Sequence, residues 1–291
     1  MLFPDLMLHS RVHQTWETSG MDSVENCNDP AHFRSYPYPL TYQYNSRGFR
    51  DHEWPQDFHD VIWCVGDSFT VGIGSPLQHT WPWLLGQRTG LRTINISMDG
   101  ASNQWICRRA CEILRSGLAQ RMVIQWSYTH RRENHDVMDI INSRWQRFYQ
   151  DVRDSNWPPC PQWQHRDQLP IKIQQELERD PYWSKIDFVH DEERRIDIPR
   201  REAVLDPALN TQDFQQCVQQ VEQQQNNCEL IHTFIPDFSD DPNIQSVLHS
   251  WPTTRAWLPP IVRLDWARDH HHYDIVTAQN LVTDLHSIFH W

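Results

Sequence analysis

The stretch VIWCVGDSFTVG, residues 61–72, decides how the rest of the chain is read. Val61 to Val65 is a continuous apolar run, with charge before it and Gly66 after it. Such a run suits a strand buried on both faces of a parallel sheet. Gly66-Asp67-Ser68-Phe69-Thr70 then forms the turn at its carboxyl end, the edge at which open parallel sheets gather functional groups.

Working outward, the next segment predicts a helix. Thr80 stands as N-cap, Pro82 falls in the first turn, Trp83, Leu84 and Leu85 supply apolar bulk, and Gly90 closes it. A short strand is predicted over RTINIS (92–97). A second helix is predicted over about 103–116, where Ile106, Ala110, Ile113 and Leu114 share one face and Gly117 stops it. MVIQW (122–126) reads as the third strand. Strand and helix alternating with short connections predict an α/β fold with right-handed crossovers. Further on, Val137, Ile140, Ile141, Trp145 and Phe148 predict a helix over about 137–152. A Gln-rich helix is expected at about 211–225, a strand at 229–235, and a last helix at about 275–289 with Asp274 as N-cap. One domain spanning 1–291 accounts for this order. Residues 1–60 read as an irregular lead-in, and about 153–210, rich in Pro and charge, as an insertion lying over the core.

Composition narrows the function classes. The 291 residues carry a formal net charge of −12, opposite to the basic face that a duplex nucleic-acid binder presents. No nucleic-acid partner is expected. No apolar stretch reaches the length that spans a bilayer, and the first residues, broken by Pro4 and Asp5, do not read as a signal peptide. The expected location is the cytoplasm, or a particle assembled there. Seven cysteines, an odd count without a CxxC pair, are expected to be reduced thiols, several of them buried. Most of the fifteen tryptophans should be packing residues, with a few available to stack on sugar rings in a groove.

Three polar turns follow the strands, Gly66-Asp67-Ser68 after the first, Asp99-Gly100-Ala101-Ser102-Asn103 after the second and Ser127-Tyr128-Thr129-His130 after the third, and a fourth, Asp269-His270-His271-His272, precedes the last helix. A doubly wound sheet gathers all four at one edge. Together they hold a serine, a turn glycine with a backbone N–H, further donors, and a histidine with a carboxylate three residues upstream. That is the inventory of acyl transfer, in which a weak hydroxyl nucleophile needs an adjacent base, the base needs an orienting carboxylate, and an oxyanion needs preorganised donors.

VGDSFTVG (65–72) resembles the first conserved block of the SGNH/GDSL hydrolase superfamily. Gly100 matches its second block, and Asp269-x-x-His272 its last. The resemblance implies a three-layer α/β/α fold with a flavodoxin-like parallel sheet. It implies Ser68 as nucleophile, His272 as base, Asp269 as its partner, and the N–H groups of Ser68 and Gly100 as oxyanion donors. The family's third block, G-x-N-D, is absent, and Thr129 falls where its Asn stands. Either Thr129 donates through its hydroxyl, or Asn103 substitutes, or the hole has two donors; Asn103 is favoured. Asp265 offers a second carboxylate upstream of the histidines. Neither a cofactor nor a metal is expected, since three consecutive histidines cannot face one ion from a regular element. Arg131, Arg132 and Glu133 read more readily as an ion-pair cluster than as substrate ligands. The implied activity is hydrolysis of an ester, a carbohydrate O-acyl group or a small acyl ester. The alternatives are an acyltransferase on the same scaffold and a catalytically silent binding or structural protein.

Overall fold

The computed structural model describes residues 15–18, 40–129, 131, 207–236, 256–269 and 272–288. The helix expected over 137–152, most of the insertion, Cys27, Cys160, His130, Arg132, Glu133, His270 and His271 lie outside them. Two short strands, β1 (Thr15–Thr18) and β2 (Leu40–Gln43), form an antiparallel ribbon within the stretch expected to be irregular. Leu40 and Tyr42 of β2 face inward while Thr41 and Gln43 face out. Four residues are too few for that alternation to stand out in a sequence.

The main sheet begins with β3 (Val61–Gly66), which leads directly into a single helical turn, α1 (Ser68–Val71). Next come α2 (Trp81–Thr89), β4 (Arg92–Ser97), α3 (Asn103–Arg115) and β5 (Arg121–Trp126). The described chain resumes with α4 (Pro207–Gln223), β6 (Glu229–Phe234), β7 (Ala256–Trp257) and α5 (Ile275–Ile288). The five strands lie in the order β4-β3-β5-β6-β7, and every neighbouring pair is parallel. All six residues of β3 are buried, as its apolar run predicts.

The connection from β3 to β4 runs one way across the sheet, and that from β4 to β5 runs back past β3. Right-handed crossovers in opposite directions put their helices on opposite faces. Consistently, α2 packs against α5, and α3 against α4. The result is a three-layer α/β/α architecture in the flavodoxin-like order, with Trp63, Trp81 and Trp126 fully buried around the sheet. In such sheets the crevice opens where the strand order reverses, here between the carboxyl ends of β3 and β5.

Local chemistry shifts several boundaries. The cap of α1 is Asp67, whose carboxylate accepts the Phe69 N–H; Ser68 is the first helical residue. The cap of α3 is Ser102, which accepts from the Trp105 N–H at 3.2 Å, so Asn103 is not the cap. Thr80 and Asp274 hold the cap positions expected of them, but their side chains turn elsewhere. The Thr80 hydroxyl donates to the Leu77 carbonyl. One oxygen of Asp274 accepts from Ser75 and faces the His79 ring. The start of α5 is capped instead by Asp265, which accepts the N–H groups of Val276 at 2.7 Å and Thr277 at 3.0 Å. Helix α4 begins at Pro207, inside the stretch assigned to the insertion. Among the described residues no helix is long and apolar enough to cross a membrane. Cys64, Cys107, Cys111, Cys217 and Cys228 are buried free thiols.

Candidate active site

Ser68 sits at the first position of α1, immediately after β3. The first N–H groups of a helix have no partner within it. Asp67 takes that of Phe69 at 3.0 Å. The lead-in anchors the other end of α1. Arg50, only 1% exposed, donates to the carbonyls of Val71 at 3.1 Å, Gly72 at 2.5 Å and Ser75 at 2.8 Å. Its guanidinium also lies 4.2 Å from the centre of the Tyr42 ring, and the Tyr42 hydroxyl accepts the Gly74 N–H at 2.7 Å. The residues before β3 therefore hold the serine-bearing turn in place.

The loop before α5 closes on that turn. Gly74, at φ +78°, accepts the Arg268 N–H at 3.0 Å. A Cβ at Gly74 would lie 2.8 Å from Cγ of Asp269, so only glycine permits the approach. Asp269 receives the His272 N–H on Oδ1 at 2.9 Å and pairs through Oδ2 with Nδ1 of the His272 ring. A carboxylate only accepts, so the proton of a neutral His272 belongs on Nδ1 and Nε2 becomes the basic nitrogen. The His272 ring packs against Phe69, the residue after Ser68, at 4.5 Å between centroids. Burial pushes the His272 pKa down. The hydrogen bond and charge of Asp269, with smaller contributions from Asp99 and Asp67, push it up, and the net effect is a rise above 6.5.

The other predicted residues fall on the same edge. Ser97 is the register partner of Gly66, and the Met98 N–H donates to the Gly66 carbonyl at 3.3 Å, which sets the Gly100 turn beside the Ser68 turn. Gly100 takes φ +70°, a conformation that side chains disfavour. Asn103 has a different occupation from the one favoured above. Its amide oxygen accepts the Ser127 N–H at 2.8 Å, and its amide nitrogen donates to the Ser127 carbonyl at 2.9 Å and approaches that of Tyr128 at 3.5 Å. This two-way clamp shapes the turn after β5 and turns the amide away from the role of oxyanion donor. Thr129 is half-buried at the end of that turn. Asp265, the alternative carboxylate, is committed to capping α5 rather than to the histidine.

Two features escaped the sequence reading. Gln125, the penultimate residue of β5, accepts from the Thr70 hydroxyl at 2.8 Å and the Trp81 indole at 3.2 Å, and donates to the Tyr273 hydroxyl at 3.1 Å. It braces α1 against the residue after His272. One signal was legible: a polar residue inside a strand buried on both faces needs partners. The second is the setting of Arg131, which the sequence placed in an ion-pair cluster. It is buried, not part of a surface cluster, and pairs with Asp67 at 2.8 Å. Among the described residues no group of His, Cys, Asp and Glu is placed to hold a metal ion.

No family model and no curated protein matches the chain. It is similar to the solved structure of a protein from Desulfitobacterium hafniense DCB-2 named as a lipolytic protein of the G-D-S-L family. The TM-score is 0.44 and the sequence identity 11%, over 79% of this chain and 99% of the other.

Proposed function

We propose that this chain is a serine hydrolase of the SGNH/GDSL type that cleaves a small acyl ester, with Ser68 as nucleophile, His272 as base and Asp269 as the group that orients it. The observation that carries the reading is the seating of the Asp269–His272 pair against α1, with the imidazole on Phe69 and the carboxylate against Gly74. A hydroxyl and a base must come within hydrogen-bond reach to exchange a proton, and the imidazole packs on the residue next to Ser68.

In this reading Nε2 of His272 takes the Ser68 hydroxyl proton as Oγ bonds to the ester carbonyl carbon. The carbonyl oxygen becomes an oxyanion and receives the N–H groups of Ser68 and Gly100. The tetrahedral species collapses, His272 hands the proton to the departing alcohol, and an acyl-enzyme remains. Water then repeats the sequence, losing its proton to His272, and releases the acid. Each well-placed oxyanion donor contributes about 3–4 kcal/mol in comparable sites. Without a committed side-chain donor, the backbone pair and the charge around it carry that task.

Turnover of p-nitrophenyl acetate and labelling by a fluorophosphonate probe test the proposal. Ser68→Ala should abolish labelling and reduce turnover by at least about 1,000-fold. Labelling elsewhere, or turnover unchanged in Ser68→Ala, refutes it. A second reading, a catalytically silent binding protein on the same scaffold, draws on burial. Ser68 is 2% and His272 4% exposed, so an ester must displace whatever covers them. A wild-type protein inert to the probe at millimolar concentration favours that reading.

A further inference from the structure

The nucleophile's neighbour is a charge buried where negative charge is least welcome. Asp67 is fully buried. One carboxylate oxygen is tied to the backbone by the Phe69 N–H at 3.0 Å, which fixes the carboxylate next to Ser68. Any reaction that builds an oxyanion on the Ser68 N–H builds it near this carboxylate, and like charges in a poorly solvated site repel strongly. The other oxygen, Oδ2, accepts from the Ser127 hydroxyl at 2.5 Å and from Nη1 of Arg131 at 2.8 Å; the same Nη1 donates to Ser127 Oγ at 3.0 Å. Arg131 is 5% exposed and its guanidinium lies 4.8 Å from the centre of the Tyr128 ring. It reaches Asp67 from the turn after β5, across the point where the strand order reverses.

We infer that Arg131 is a positioning residue for the reaction proposed above: its guanidinium neutralises Asp67, so that negative charge can develop on the substrate oxygen beside Ser68. The inference rests on that reading of the site. A buried ion pair adds little stability over a well-packed apolar pair, so its main consequence here is the local field. By the same pairing, Arg131 should offset the pull of Asp67 on His272. Among the described residues, the charged groups that act on that imidazole are Asp269 on its own loop, Asp99 after β4 and Asp67 before α1, the last paired with Arg131 from the turn after β5. Around the Phe69 ring that it packs on stand Tyr273, Tyr128 and, 6.0 Å away, Arg263.

The test titrates the His272 imidazole by NMR and measures kcat/KM with p-nitrophenyl acetate in Arg131→Met, Asp67→Asn and the double variant. Arg131→Met should raise the imidazole pKa by about one unit and lower kcat/KM roughly 10- to 100-fold. The double variant, with neither charge, should return the pKa to within a few tenths of the wild-type value and recover about tenfold of the lost activity. An unmoved imidazole in Arg131→Met, or a double variant no more active than the single one, overturns the inference. If circular dichroism shows Arg131→Met unfolded, Asp67→Asn decides alone: it keeps the cap oxygen and should lower the imidazole pKa by about one unit, and no change overturns the idea. A wild-type protein inert to probe and ester defeats the esterase reading, while the titration still reports on the charge pair.

Discussion

Replacing Gly74 by alanine tests how the two halves of the site are held together. The residue lies at φ +78°, where an L side chain costs about 1–2 kcal/mol. The added Cβ would lie 2.8 Å from Asp269 Cγ, 2.9 Å from Asp269 Oδ1 and 2.9 Å from Ala267 Cβ. Both residues are buried and the Ala267 N–H is hydrogen-bonded to the His272 carbonyl, so the contact adds about 1–3 kcal/mol of overpacking. The expected destabilisation is therefore about 2–5 kcal/mol, with Asp269 pushed off the imidazole. Gly90 supplies the control. It takes φ +72°, and a Cβ there meets nothing within 4 Å, so Gly90→Ala should cost only the backbone strain, about 1–2 kcal/mol. Urea unfolding followed by tryptophan fluorescence gives both values, and the His272 imidazole proton resonances report on the pair. Equal stability losses in the two variants, or an undisturbed imidazole in Gly74→Ala, would refute the claim that this glycine exists to let the loops meet.

Two further outcomes follow from the geometry. The folded-state pKa of His272 lies above 6.5, so ester turnover should fall away as pH drops through that value, because the base is then protonated. Stability should run the other way. The protonated imidazole gains its partner in the folded state, so this contribution is complete below pH ~6.5 and is lost as pH rises through the folded pKa. A pH–rate profile whose acid limb lies below 6.5, or a stability difference between wild type and Asp269→Asn that grows with rising pH across this range, contradicts the assignment. Asp265→Ala removes the cap of α5 and should cost about 1–2 kcal/mol in urea unfolding, while probe labelling of Ser68 stays within about threefold of wild type. Loss of labelling in a folded Asp265→Ala protein would move the orienting role from Asp269 to Asp265.

Much of the sheet was legible in the sequence because its signals are local. Val61–Val65 is apolar throughout, RTINIS and MVIQW recur at short intervals, and Gly90 and Gly117 mark helix ends within a residue or two. Ser68, Gly100, Asp269 and His272 each stand in a turn that follows or precedes a regular element, so their shared edge could be argued from element order alone. A two-residue strand such as β7 has no periodicity to read, and the four residues of β2 have barely more.

What the sequence by itself determined was the layered parallel sheet and which polar turns gather at its carboxyl edge, since apolar runs, caps and short crossovers act over a few residues. The tertiary structure alone decided which polar partners meet there. Arg50 holds carbonyls more than twenty residues away, Asp265 caps a helix from a loop twelve residues upstream, Asn103 clamps the turn at Ser127, and Arg131 pairs with Asp67 across sixty-four positions. A hydrogen bond or ion pair between distant segments leaves no spacing in the chain. Which donor meets which acceptor is set only when the packed layers bury both and each must find the nearest partner or lose its solvation.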